Sequence, residues 1–112
     1  MIIPLKLPSL NEYISCCRAN KYAAASLKKE TEEDISYFIN QMPVYTKPII
    51  VHFTWHDNTR RDYDNIAFAK KFILDAMQKC GKIPNDNRKY VKGFTDNFKG
   101  GECSVEIEVE EL

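Results

Sequence analysis

The sequence predicts an α+β (mixed α/β) fold: a small mixed β-sheet of about four strands with two main helices, in the order β-α-β-α-β-β. Three patterns carry that expectation. Residues 48–56, PIIVHFTWH, are a β-branched and aromatic run of strand length. Two other stretches repeat apolar residues at helical spacing. The final residues alternate, with Val105, Ile107 and Val109 set against Glu106, Glu108 and Glu110.

Taken in order, residues 2–7 (IIPLKL) predict a short edge strand, because Pro4 cannot donate to a central ladder. Residues 8–25 read as irregular, with Pro8, Ser9 and Asn11 as turn formers. A helix is expected from about Ser26 to Met42, its stripe formed by Leu27, Ile35, Phe38, Ile39 and Met42, and Pro43 stops it. Residues 48–56 give a strand buried along most of its length, so Phe53 and Trp55 are expected in the core. A second helix is expected from about Asp64 to Lys79, with Asp64 as N-cap and Gly81 at its C-terminus. A strand over about 88–95 follows, and Gly100–Gly101 marks a hairpin into the last strand.

At 112 residues the chain is expected to form a single domain, 1–112. Burying roughly 65% of its unfolded surface leaves a shallow core, which oligomerisation would help. No basic segment precedes a long apolar stretch, and no run approaches the ~18 apolar residues of a membrane span. A cytoplasmic protein with four reduced thiols, Cys16, Cys17, Cys80 and Cys103, and no membrane partner is therefore expected.

The zero net charge conceals an uneven distribution. Residues 56–99 carry ten Lys/Arg against six Asp, while residues 100–112 carry five Glu and no base. A near-neutral total excludes a nonspecific DNA coat but leaves room for a local basic patch.

Within that basic segment, RRDYDNIAFAKK (Arg60–Lys71) places Asp62 and Asp64 two residues apart. In extended chain they would face one side about 6.5–7 Å apart. Two such carboxylates suit a hard ion such as Mg²⁺, whose shell water and phosphate complete. The plainer alternative makes Asp64 a helix cap and Asp62 a partner of Arg60 or Arg61. Asp86, in IPNDNRKY, is a third acid whose plain role is an Asx-turn. Lys71 lies seven residues after Asp64, on nearly the same helix face, where it can meet a phosphate; its plain role is an i,i+4 pair with Asp75. His52 and His56 sit ~13 Å apart in extended chain, too far to share one zinc ion. Arg18, Lys21, Lys28 and Lys29 flank the start of the first helix and read as a solvated face unless phosphate binds nearby.

Taken together these segments resemble the RusA family of Holliday junction resolvases, found on phages and prophages. The resemblance rests on LPSLNEY (Pro8, Ser9, Asn11, Tyr13) with Arg18 after it, on RRDYDN (Arg60–Asn65), and on KFILDAMQKCGKIPND (Lys71–Asp86), and it extends to a terminal hairpin. It implies that Asp62, Asp64 and Asp86 bind Mg²⁺, for which Mn²⁺ can substitute, and that Lys71 is the essential lysine. The stretch from Asp64 to Asp75 is three residues longer than in the founding member, so Lys70 or Lys71 could fill that role; Lys71 has the fitting distance to Asp75. The expected activity is paired symmetric hydrolysis of four-way DNA junctions by a homodimer, with no nucleotide cofactor. Arg18, Lys21, Lys28, Arg60, Arg61 and Lys70 would contact DNA. An unbroken Asp64–Lys79 helix is about 24 Å long, so Asp86 is expected to reach either back along it or across to the partner subunit, the second being favoured. A branched-DNA-binding protein without catalysis and a phage protein-interaction module remain as alternatives.

Overall fold

The computed structural model describes residues 1–112. In chain order the elements are β1 (Ile2–Ile3), α1 (Leu10–Ala19), α2 (Lys21–Ile39), β2 (Ile49–His56), α3 (Tyr63–Ala67), α4 (Lys70–Lys79), β3 (Val91–Lys99) and β4 (Ser104–Glu111). They form a mixed α+β architecture around one four-stranded sheet of order β1-β4-β2-β3.

β2 is central, and its pattern shows why. Ile49, Val51, Phe53 and Trp55 are buried, while Ile50, His52, Thr54 and His56 between them are only half-buried. Alternate side chains of a strand face opposite sides, so the helices cover one face only. β4 supplies Val105 and Ile107 to the same side. On the uncovered face His52 reaches Thr95 (2.7 Å) and Glu110 (3.0 Å), and His56 lies 3.4 Å from Glu106, so the two histidines serve separate cross-strand contacts.

Two expectations about topology need correction. Gly100–Gly101 does not close a hairpin: β3 runs parallel to β2 on one side, and β4 runs antiparallel to β2 on the other. β4 thus lies between β2 and β1, where Ile2 faces Glu106. The glutamates alternate on β4 as expected, but the pairing partner is set by long-range burial that local turn chemistry does not encode. The N-terminal strand is also shorter than expected, two residues.

The helical expectations need similar revision. Residues 8–25 are not irregular, because Ser9 and Glu12 form a capping box that opens α1: the Ser9 hydroxyl accepts from the Glu12 N–H, and the Glu12 carboxylate accepts from the Ser9 N–H. Asn20 then caps α2, accepting from Ala23 N–H at 2.8 Å, so that helix begins earlier than Ser26. The second long helix is broken at Phe68–Ala69, where bonds from Lys71 N–H to Phe68 O and from Phe72 N–H to Ala69 O tighten the turn. At its far end the expectation holds: Gly81 adopts φ 72° and closes a Schellman motif, with Lys82 N–H on Met77 O and Gly81 N–H on Gln78 O.

One contiguous core joins the elements, with Phe53, Phe72, Ile35, Ile39, Ile73 and Met77 fully enclosed. Each contributes roughly 1.5–3 kcal/mol by its burial. Phe72 to Met77 are all buried in α4, and that unbroken run includes a carboxylate, Asp75. No helix is long and apolar enough to cross a membrane, and all four cysteines are free.

Candidate functional site

The loop leaving β2 is held by a short polar network. Arg61 pairs with Asp57, donates to the Leu7 carbonyl at 3.0 Å and packs its Nε on the Thr59 hydroxyl at 3.3 Å. Burial works against the Asp57 charge, but hydrogen bonds from Thr59 and Arg61 outweigh it and hold the pKa down to about 2. Arg61 therefore orders this loop and binds the N-terminal segment. A second tie lies alongside, from the Asn11 N–H to Asn65 Oδ1 at 3.2 Å. Through these two bonds LPSLNEY and RRDYDN, far apart in sequence, form one unit.

That unit presents Asp62 and Asp64. Asp62, not Asp64, occupies the N-cap position of α3, and its carboxylate makes no capping bond. Asp64 lies in the first turn and accepts only the Asn65 N–H, at 3.0 Å. Both are exposed, and neither has a lysine or arginine partner: Arg61 is directed to Asp57, and Arg60 is exposed with no ion pair. The cap-and-salt-bridge alternative therefore does not describe this pair.

Lys70 and Lys71 diverge at the start of α4. Lys70 pairs with Asp96, which also accepts from Trp55 Nε1 at 2.8 Å, and its ammonium lies 4.3 Å from the Phe94 ring centre. Lys71 is 59% exposed and lies 3.1 Å from Asp75 and 3.8 Å from Asp86. The hydrogen bond from Lys71 to Asp75 raises the lysine pKa, with Asp86 adding to the effect. Burial opposes the charge on Asp75, but Lys71 and its neighbours more than offset this and lower its pKa.

Asp86 thus lies beside the first turn of α4 in its own chain. The segment after Gly81 runs back along the helix, which removes the length argument for placing Asp86 across a subunit boundary. Its Asx role falls instead to Asn87, which accepts the Lys89 N–H at 3.0 Å. Behind Lys71 lies a charge cluster joining α2 to α4. Lys28 is 3.3 Å from Asp75 and 4.0 Å from Glu32, and Lys79 pairs with Glu32. One oxygen each of buried Glu32 and Asp75 has no hydrogen-bond donor; the Lys28 ammonium is close to both in charge terms without being aimed at either.

A cleft of about 790 Å³ gathers part of this set. Its walls include Leu10, Tyr13, Tyr63, Phe68 and Phe98, with Asp64, Lys28, Lys70 and Lys71. Tyr63 is 65% exposed and lies parallel on Phe98, ring centres 4.1 Å apart at 10°. Arg18 and Lys21 are exposed near the α1–α2 junction and do not line the cleft, and neither do Arg60, Asp62 and Asp86. No group of three or more His, Cys, Asp or Glu side chains is placed to hold a metal ion. Asp62 and Asp64 fit a hard cation in donor chemistry and in lacking ionic partners. The same-side spacing expected of extended chain is not kept, because Asp64 is already helical, and Asp86 does not join them.

The residues that sequence reasoning missed are Asp57, Glu32, Asp96, Tyr63 and Phe98, with Asp75 recognised only as a pairing partner. Asp75 left one signal, an acid inside the otherwise apolar run Phe72–Met77. Asp96 and Phe98 left none, because their face depends on the register of β3. Neither a family model nor a curated protein sequence matches the chain.

Proposed function

We propose that this protein is a structure-specific endodeoxyribonuclease that cuts four-way DNA junctions at this cleft, working as a homodimer with Mg²⁺. The observation that carries this reading is the pairing of opposites around one cleft. Of two exposed carboxylates without cationic partners, Asp62 and Asp64, the second shares the cleft wall with Lys28, Lys70 and Lys71. That arrangement leaves both carboxylates free to take a cation, with Lys71 close enough to meet a phosphate.

Asp62 and Asp64 would hold the cation, with Asp86, 3.8 Å from Lys71, as a further acid. A bound hard cation lowers the pKa of water and stabilises a leaving oxygen. The chain's own part is to position and neutralise. Lys71 keeps its proton at any physiological pH, and its exposed ammonium can swing from Asp75 and Asp86 to a phosphate. The rigid Asp57–Arg61–Leu7 network fixes the backbone that carries the two aspartates. A junction with two-fold symmetry calls for two sites in fixed register, which a C2 dimer provides.

One observation favours a second reading, branched-DNA binding without cleavage: Asp86 is engaged with Lys71 and Asp75 rather than with the aspartate pair. A single assay separates the two. A synthetic four-way junction is incubated with Mg²⁺ and either wild type or Asp62→Asn. Symmetric nicks made by wild type and lost in the variant support the nuclease. Binding without nicks establishes the second reading, and no binding refutes both.

A further inference from the structure

We propose that Tyr63 is a stacking platform for an unpaired nucleobase, so that this cleft takes DNA strands whose bases have left the duplex stack. The proposal rests on the nuclease reading for its location and adds the substrate feature recognised there.

Tyr63 stands between the two exposed aspartates in sequence. It is 65% exposed, and it lies flat on Phe98 at 4.1 Å between ring centres. That contact uses one face of the phenol ring and restrains its rotamer. The other face remains free. A ring held flat by a second ring beneath it is already organised for a third, since aromatic groups favour parallel, offset stacking and lose little entropy when the first is fixed.

The surroundings define the occupant. Lys28, Asp64 and Lys71 line the same cleft as Tyr63 and Phe98, together with the Lys70–Asp96 pair. A planar apolar group attached to an anionic backbone meets both needs, and a nucleotide has that composition. In continuous duplex each base face is covered by its neighbours, so a platform of this kind has nothing to hold. At a branch point or in a single strand the base faces are available, and stacking there does not depend on sequence.

A plainer role is for Tyr63 to shield Phe98 from water. Leucine would serve that purpose, so Tyr63→Leu tests the proposal directly, beside Tyr63→Phe, which keeps the ring. The probes are a fluorescein-labelled oligothymidylate, a blunt duplex and a synthetic four-way junction, with thermal unfolding as the check on folding. Tyr63→Leu is expected to unfold at the wild-type temperature and to bind oligothymidylate and the junction about 10-fold more weakly. Its duplex affinity should be unchanged, and Tyr63→Phe should behave as wild type. If Tyr63→Leu equals wild type on all three probes while the wild type cleaves the junction, the platform is overturned and the nuclease reading stands. Ring-dependent binding without junction cleavage supports the platform and overturns the nuclease. Wild type that binds no probe overturns both.

Discussion

Lys70 and Lys71 are neighbours in sequence that serve different partners: Lys70 is enclosed between Asp96 and the Phe94 ring, while Lys71 projects from the helix beside Asp75 and Asp86. On the proposed nuclease reading, that difference in freedom favours Lys71 as the acting lysine. Lys70→Met should cost about 2 kcal/mol of stability, because Asp96 loses a charged donor. Lys71→Met should cost less than about 1 kcal/mol, as expected for a largely exposed pair, yet remove junction cleavage. Urea unfolding beside a cleavage assay checks both; equal stability losses would contradict the assignment.

Asp62 and Asp64 have no ionic partners to lose, and an asparagine amide oxygen can still accept the exposed Asn65 N–H. Asp62→Asn and Asp64→Asn should therefore leave stability within about 0.5 kcal/mol of wild type. Cleavage should be abolished and junction binding retained. A marked loss of stability in either variant would show that the carboxylate is structural.

The Asp57 carboxylate gives an acid-dependent signature. Its pKa in the folded protein is about 2, below the ordinary 3.8. The unfolded chain therefore binds a proton first, and the contribution is complete above the ordinary value and lost as pH falls towards 2. At neutral pH it amounts to about 2 kcal/mol by the free-energy equivalent of such a shift. Compared by urea unfolding from pH 6 down to pH 2.5, the gap between wild type and Asp57→Asn should begin to narrow near pH 4 and shrink to roughly a third by pH 2.5. A constant gap would mean that the Asp57–Arg61 pair is not the source.

Asp75 is a buried acid on which Lys28 and Lys71 converge. Asp75→Asn should destabilise by about 1–3 kcal/mol, since Lys28 and Lys71 lose the acid they share and keep only the longer contacts to Glu32 and Asp86. Adding Lys28→Met should recover part of that loss. Additive losses in the double variant would show that the lysine and the acid do not interact.

With Asp86 beside Lys71 of its own chain, each site should draw all its acids from one subunit. Mixing Asp62→Asn with Asp86→Asn chains should then restore no cleavage. Recovery of single nicks in the heterodimer would place Asp86 in the partner's site.

What the sequence disclosed follows the range of the forces involved. The Schellman end at Gly81, the buried face of β2 and the alternation of β4 depend on neighbours a few residues away, and each was legible. The capping box at Ser9 and Glu12 was equally local, and it was overlooked because Pro8 and Asn11 read as turn formers. β4 passing to the far side of β2 was not legible, because a glycine pair permits a reversal without choosing the strand that receives it. At the site, Asp62 and Asp64 were found from spacing and their partnerless state was not, since it depends on Arg61 turning to Asp57. Tyr63 lay in plain view in RRDYDN, but its meaning came only with Phe98 beneath it.

Glu106, which faces Ile2 across the sheet, belongs to the strand that also completes the ladder of β2. During synthesis, β1 therefore emerges with no partner and waits until the other three strands and all four helices have been made. The sheet closes late, and until then the flank of β2 destined for β4 lies open to any extended chain that reaches it. A nascent or newly released molecule should be the form most in need of a chaperone, and a pulse of hydrogen exchange soon after refolding begins should find α2 and α4 protected before β1.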